Sequence, residues 1–146
     1  MIIYYTKEGR FKVHGRFKIP YYKLHRENGP AVTYSNRLAV WYINGKRHRE
    51  DGPAVSWYGD KKWYVNGKLH RADGPAAIYQ NGRKEWWQNG KLHRIDGAAV
   101  EFNNGYKYWY INDKELNAEE VETWIKNNNI NLKTKKHQAL FMLKFL

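Results

Sequence analysis

Four histidines, His25, His48, His70 and His93, each stand directly before an arginine and three residues before an aspartate or asparagine. A histidine and a carboxylate recurring together have the parts of an acid-base pair, and histidine is also a common metal ligand. Repetition argues against both. A residue present in every copy serves something every copy must do, which is to fold and stack, whereas catalysis needs one asymmetric constellation. The histidines are therefore read as hydrogen-bonded packing groups between copies. The chain is read as a non-enzyme, with no catalytic residue, no metal and no cofactor. Each aspartate is read as a turn-former or as the partner of the arginine two residues before it.

The arginines are more informative. Arg26, Arg49, Arg71 and Arg94 should lie in one row, where forked guanidinium groups suit phosphates or carboxylates; the competing reading pairs each with its own local acid. The chain holds 26 Lys and Arg against 14 Asp and Glu, a net charge of +12, which points to an anionic partner. Aromatic residues make up 16%, with 12 Tyr and 7 Trp. In one reading they form the core; in the other some stay open and stack a base beside phosphate-binding cations. The residues assigned to such a ligand are Arg49, Arg71, Arg94, Trp63, Trp86 and Trp87, with Lys12, Arg16 and Lys18 as electrostatic support. A nucleotide or nucleic acid is the expected partner, and a protein bound on the extended sheet is the alternative. Changing Arg71 and Arg94 together to alanine is expected to weaken binding and leave the fold intact.

The elements that must position these groups repeat. The histidines are separated by 23, 22 and 23 residues, and four copies span His25 to Leu116. Each copy has two β-branched and aromatic runs, such as Ala54 to Trp57 and Trp63 to Val65, which predicts two strands per copy. Asn44-Gly45, Asn66-Gly67 and Asn89-Gly90 are tight-turn signals, and the glycine of "NGP" or "DGP" is expected to take an unusual φ. The last copy weakens these signals, with Asn112-Asp113 and with Ala98 in place of proline. Short turns force antiparallel pairing, so the expected fold is mainly β: a single-sheet antiparallel meander of about four units with a short C-terminal helical cap. Alternation puts Trp41, Trp63, Trp86 and Trp109 in one column and Tyr42, Tyr64, Trp87 and Tyr110 on the opposite face.

Three segments follow. Residues 1–24 form a basic N-terminal hairpin or cap, in which "GRFKVHGRFKIPYY" resembles a degenerate hairpin; residues 25–116 are the repeats; residues 117–146 are the cap. Asn117 is the expected N-cap of a helix over Ala118 to Lys126, and "KKHQALFMLKFL" is either a second helix or a final strand. There is no cysteine, no signal-peptide pattern and no apolar run long enough to cross a membrane, so a reduced, cytoplasmic location is expected, with no membrane partner. A single layer cannot bury both aromatic faces, so the C-terminal segment, a second subunit or a ligand should cover part of them. Walker, Rossmann, Gly-x-Ser-x-Gly and His-Glu-x-x-His motifs are absent.

At "NGKRHREDGPAV" the pattern resembles MORN repeats, which are also about 23 residues long and carry a Tyr or Trp, an Asn-Gly turn, then a histidine and a glycine. Trp41, Asn44-Gly45, His48 and Gly52 fit that order, as do Trp63, Asn66-Gly67, His70 and Gly74. Arginine stands where the family has glycine after the histidine, and the "HRxDGPA" phrase is longer than the MORN turn. This variant is similar to repeats frequent in bacteriophage and other viral proteins. The resemblance implies the repeat fold and a viral accessory role in the host cytoplasm, such as countering host defence by sequestering a ligand, or inhibiting or recruiting a host protein. It implies no catalytic residue.

Overall fold

The computed structural model describes residues 2–13, 20, 23–35 and 37–146. Arg16 and Lys18 lie outside them, and of Lys12 only the backbone is placed. The chain begins with a hairpin of β1 (Ile2–Thr6) and β2 (Gly9–Val13), earlier in sequence than the degenerate hairpin expected. The first unit follows with β3 (Val32–Tyr34) and β4 (Leu38–Val40), then a small separate hairpin of β5 (Tyr42–Ile43) and β6 (Lys46–Arg47). The second repeats this with β7 (Val55–Trp57), β8 (Asp60–Lys62), β9 (Tyr64–Val65) and β10 (Lys68–Leu69). The third has β11 (Ala77–Ile78), β12 (Lys84–Glu85), β13 (Trp87–Gln88) and β14 (Lys91–Leu92). In the fourth, β15 (Val100–Glu101) pairs with an unbroken β16 (Lys107–Ile111), which also pairs with β17 (Lys114–Leu116).

The result is an open 11-stranded antiparallel sheet in the order β17-β16-β15-β12-β11-β8-β7-β4-β3-β1-β2, with three two-stranded hairpins beside it. The first three units therefore hold four short strands each, not the two expected from sequence. The chain leaves the main ladder at Trp41, Trp63 and Trp86, and the Asn-Gly turns close the second hairpin of each unit. Those turns have positive φ at both residues, 50° and 82° at Asn66 and Gly67, and Asn112-Asp113 adopts the same form at 51° and 67° without a glycine. Each tip is tied to the preceding unit: Gly67 N–H donates to the Arg47 carbonyl and Gly90 N–H to that of Leu69, both at 2.8 Å.

Alanine sets how closely the units approach. Ala31, Ala54, Ala76 and Ala99 occupy one position of the repeat and are fully buried. The carbonyls of the last three accept from the N–H of Trp41, Trp63 and Trp86 at 2.8 Å, which carries the ladder past the strand ends. At the C-terminus the period changes. Helix α1 (Ala118–Asn127) is capped by Asn117, whose side chain accepts from Glu120 N–H at 2.9 Å; α2 (Lys135–Phe145) settles the last segment as a helix. Val121, Phe141 and Phe145 bury Trp109, Ile111 and Leu116, so the helices cover one face of the last unit. Alternation in β16 puts Lys107 on that face with Trp109 and Ile111, and the register extends it through Glu101 and Lys84 to Lys61.

Candidate functional site: grooves between the repeats

Each repeat arginine lies flat on an aromatic ring. Guanidinium carbon to ring centroid measures 3.9 Å for Arg26 on Tyr5, 4.1 Å for Arg49 on Trp41, 4.2 Å for Arg71 on Trp63 and 3.7 Å for Arg94 on Trp86. The other neighbour is the glycine of the loop: a Cβ on Gly52, Gly74 or Gly97 would stand 2.9, 3.2 or 2.8 Å from that carbon. These glycines are thus required for space. An unusual φ, expected for the glycines of "NGP" and "DGP", occurs at Gly29 and not at Gly52 or Gly74. The guanidinium plane is then fixed by Asp51, Asp73 and Asp96 at 2.7, 2.8 and 2.6 Å and by the carbonyls of Pro53, Pro75 and Ala98. Arg94 also holds Glu101 at 2.6 Å, which places it on the helix-bearing face.

The histidines fasten one unit to the next. Nδ1 of His25, His48, His70 and His93 accepts from the backbone N–H of Asn44, Asn66, Asn89 and Asn112 at 3.1 to 3.3 Å, fixing each hairpin turn. That geometry assigns the ring proton to Nε2. The first two Nε2 atoms face Glu27 and Glu50 at 3.8 and 3.6 Å. Ala72 and Ile95 replace those glutamates in the later copies, so His70 and His93 keep a donor for whatever enters the adjoining groove.

A groove runs between each pair of successive His-Arg loops. The first, about 500 Å³, holds Trp41 and Arg49; the second, about 600 Å³, brings together Arg49, Trp63 and Arg71. The third is the largest, about 1060 Å³, and joins Trp86 and Arg94 to Lys68, Lys91 and His93, with Gln138 of α2 at its end. Trp87 is apart from these residues. Its indole N–H donates to Glu85 Oε2 at 2.8 Å, within a cluster completed by Tyr79 and Arg83. The residues missed from sequence are lysines. Lys46, Lys68 and Lys91 follow the Asn-Gly turns, Lys61 and Lys84 share the helix-bearing face, and none has a carboxylate within 4 Å among the described residues. The repeated "NGK" is the signal that could have found Lys46, Lys68 and Lys91.

Arg49 holds the Asp51 carboxyl, and Arg71 the Asp73 carboxyl, below the usual aspartate range. At Asp96 burial pushes the pKa up, but Lys133 and Arg94 outweigh it and the net shift is downward. A carboxylate with a lowered folded-state pKa adds stability above its unfolded value, near 3.9, and that stability is lost as pH falls further. Acid titration followed by tryptophan fluorescence should therefore show stability declining below about pH 4. Replacing Asp96 with Asn should flatten that decline.

No protein-family model, curated protein or solved structure matches the chain. No helix is long and apolar enough to cross a membrane, and no cluster of three potential metal-ligating side chains occurs among the described residues.

Proposed function

We propose that this is a non-enzymatic binding protein that holds an anionic ligand, a nucleotide or nucleic acid, in the largest of its three grooves, on the helix-bearing face. One observation carries the reading: the repeat arginines are engaged in the scaffold, while two exposed lysines without carboxylate partners among the described residues, Lys68 and Lys91, line the third groove beside Trp86. Phosphates meet Lys68 and Lys91 as point charges, the His93 Nε2–H donates beside them, and Trp86 and Ile95 offer apolar surface to the rest of the ligand. Asp73 and Asp96 line the same groove, but each is already paired, with Arg71 and with Arg94 and Lys133. The exposed Glu50 and Asp51 beside the second groove favour, as second reading, a protein partner with cations of its own. The resemblance to MORN-like phage repeats adds a cytoplasmic sequestering role against host defence.

Lys68→Ala with Lys91→Ala should weaken binding of a fluorescein-labelled 20-residue oligonucleotide at least fivefold at low salt. It should also lower the slope of log K against log salt by roughly 1.4, two phosphate contacts at about 0.7 each for a single strand. Thermal stability should stay unchanged, because both side chains are exposed and carry no partner. Equal affinity in the variant and the parent overturns the reading.

A further inference from the structure

The face turned away from the helices carries a pattern the grooves do not use. Tyr34, Trp57, Tyr79 and Phe102 stand two residues beyond Val32, Val55, Ala77 and Val100 in their units. The register sets Tyr34 and Trp57 on either side of Leu38, and the bond from Tyr79 to Glu85 and the edge contact of Phe102 with Tyr108 keep the later rings on the same face. One strand lies between successive rings, so the spacing is about 10 Å. Trp57 is 53% exposed and Tyr34 44%, with Tyr58 exposed beside Trp57 and Tyr106 and Tyr108 exposed beside Phe102.

Cations accompany the rings. Arg37 lies 5.2 Å from the Tyr58 centroid, Lys62 lies 4.9 Å from that of Tyr79, and Arg83 sits between Tyr79 and Phe102 at 5.4 and 5.0 Å. The carboxylates here are occupied: Glu85 by Arg83, Tyr79 and Trp87, and Asp60 by the Gln80 N–H at 2.8 Å. The face therefore presents flat rings with Arg37 and Lys62 as the cations not paired with a carboxylate among the described residues.

We infer that this stripe is a stacking platform for single-stranded nucleic acid, separate from the grooves. Unpaired bases stack on Trp57, Tyr34 and their exposed neighbours, and Arg37 and Lys62 meet the phosphates, a combination that tolerates any base sequence. A duplex keeps its base faces hidden and cannot use the rings. An acidic peptide matches the cations but gives the row of flat rings no role. The inference rests on the nucleic-acid reading above but uses other residues.

The probe is a fluorescein-labelled 20-residue oligothymidylate, followed by anisotropy, with a 20-base-pair duplex as comparator. Trp57→Ala and Tyr34→Ala remove exposed rings and should leave thermal stability in place. Each should lower affinity for the single strand about fivefold or more, as expected for loss of one stacked base, and leave duplex affinity unchanged. Trp57→Phe, which keeps a ring, should recover most of the loss. Unaltered single-strand affinity in both alanine variants overturns the inference, as does an equal loss for the duplex. If Lys68→Ala with Lys91→Ala weakens binding and the ring variants do not, the groove reading stands and the platform falls; the reverse pattern upholds the platform alone. No binding of either probe by the parent protein overturns both.

Discussion

Arg94→Ala should lower folding stability by about 3 kcal/mol, the scale for removing one partner of a largely buried ion pair. The Arg94 side chain is only 12% exposed and makes four separable interactions: the stack on Trp86, the bonds to Asp96 and Glu101, and the bond to the Ala98 carbonyl. Truncation leaves two carboxylates facing the space it filled and opens Trp86 to water. For a domain of this length that is a fall in Tm of roughly 6–12 °C. Arg71→Ala should cost less, because Arg71 has one carboxylate and about twice the exposure, at 24%. Arg94→Lys should not rescue, since an ammonium cannot lie flat on the indole or reach two acids at once. Denaturant melts of the three variants give the order directly; an Arg94→Ala protein as stable as its parent would remove the arginine stack from the scaffold. The same geometry argues that the Arg71 and Arg94 double variant loses stability as well as charge. Loss of binding there would mix lost stability with lost contacts, so the binding test belongs to the lysines.

Much of the fold is legible because repetition turns single residues into columns. The period, the antiparallel order, the tight Asn-Gly turns and the Asn117 cap all follow from local chemistry that each copy states again. The strand count does not. Nothing local to Trp63 announces that the ladder bends there, because the bend is set by Arg71 stacking from the next loop and by the Ala76 carbonyl of the next unit. The arginine's engagement is likewise decided by a glycine three residues later, whose missing Cβ admits the guanidinium. Charge pattern brought the arginines forward because they sit in the most regular phrase. Regularity marked the scaffold, and the exposed lysines and rings were left with the surface.

Glu85 marks where the third unit departs from the others. The equivalent residues are Val40, Lys62 and Tyr108, yet here a carboxylate is buried at 3% exposure and accepts from Trp87, Tyr79 and Arg83. Glu85→Ala should therefore lower stability by about 3 kcal/mol, since it strands an indole N–H, a phenol and a guanidinium together. It should also be visible in a titration. Burial, and then the Glu85 charge, push the Tyr79 pKa up to about 12. A raised folded-state value adds stability below the unfolded pKa near 10, and that stability is lost as pH climbs through the interval up to 12. In Glu85→Ala burial remains and the charge goes, so the late ultraviolet ionisation step should move part of the way back. Transplanting the first unit's residues tests whether the penalty is local. Arg83→Leu, Glu85→Val and Trp87→Tyr together copy Leu38, Val40 and Tyr42 and remove the indole and guanidinium donors, leaving only the half-buried Tyr79 phenol without its carboxylate. Such a variant should return to within about 1 kcal/mol of the parent, as apolar replacements of whole ion-pair clusters often do. If it stays as unstable as Glu85→Ala, the carboxylate acts beyond its three partners, and the register between the third and fourth units is where to look.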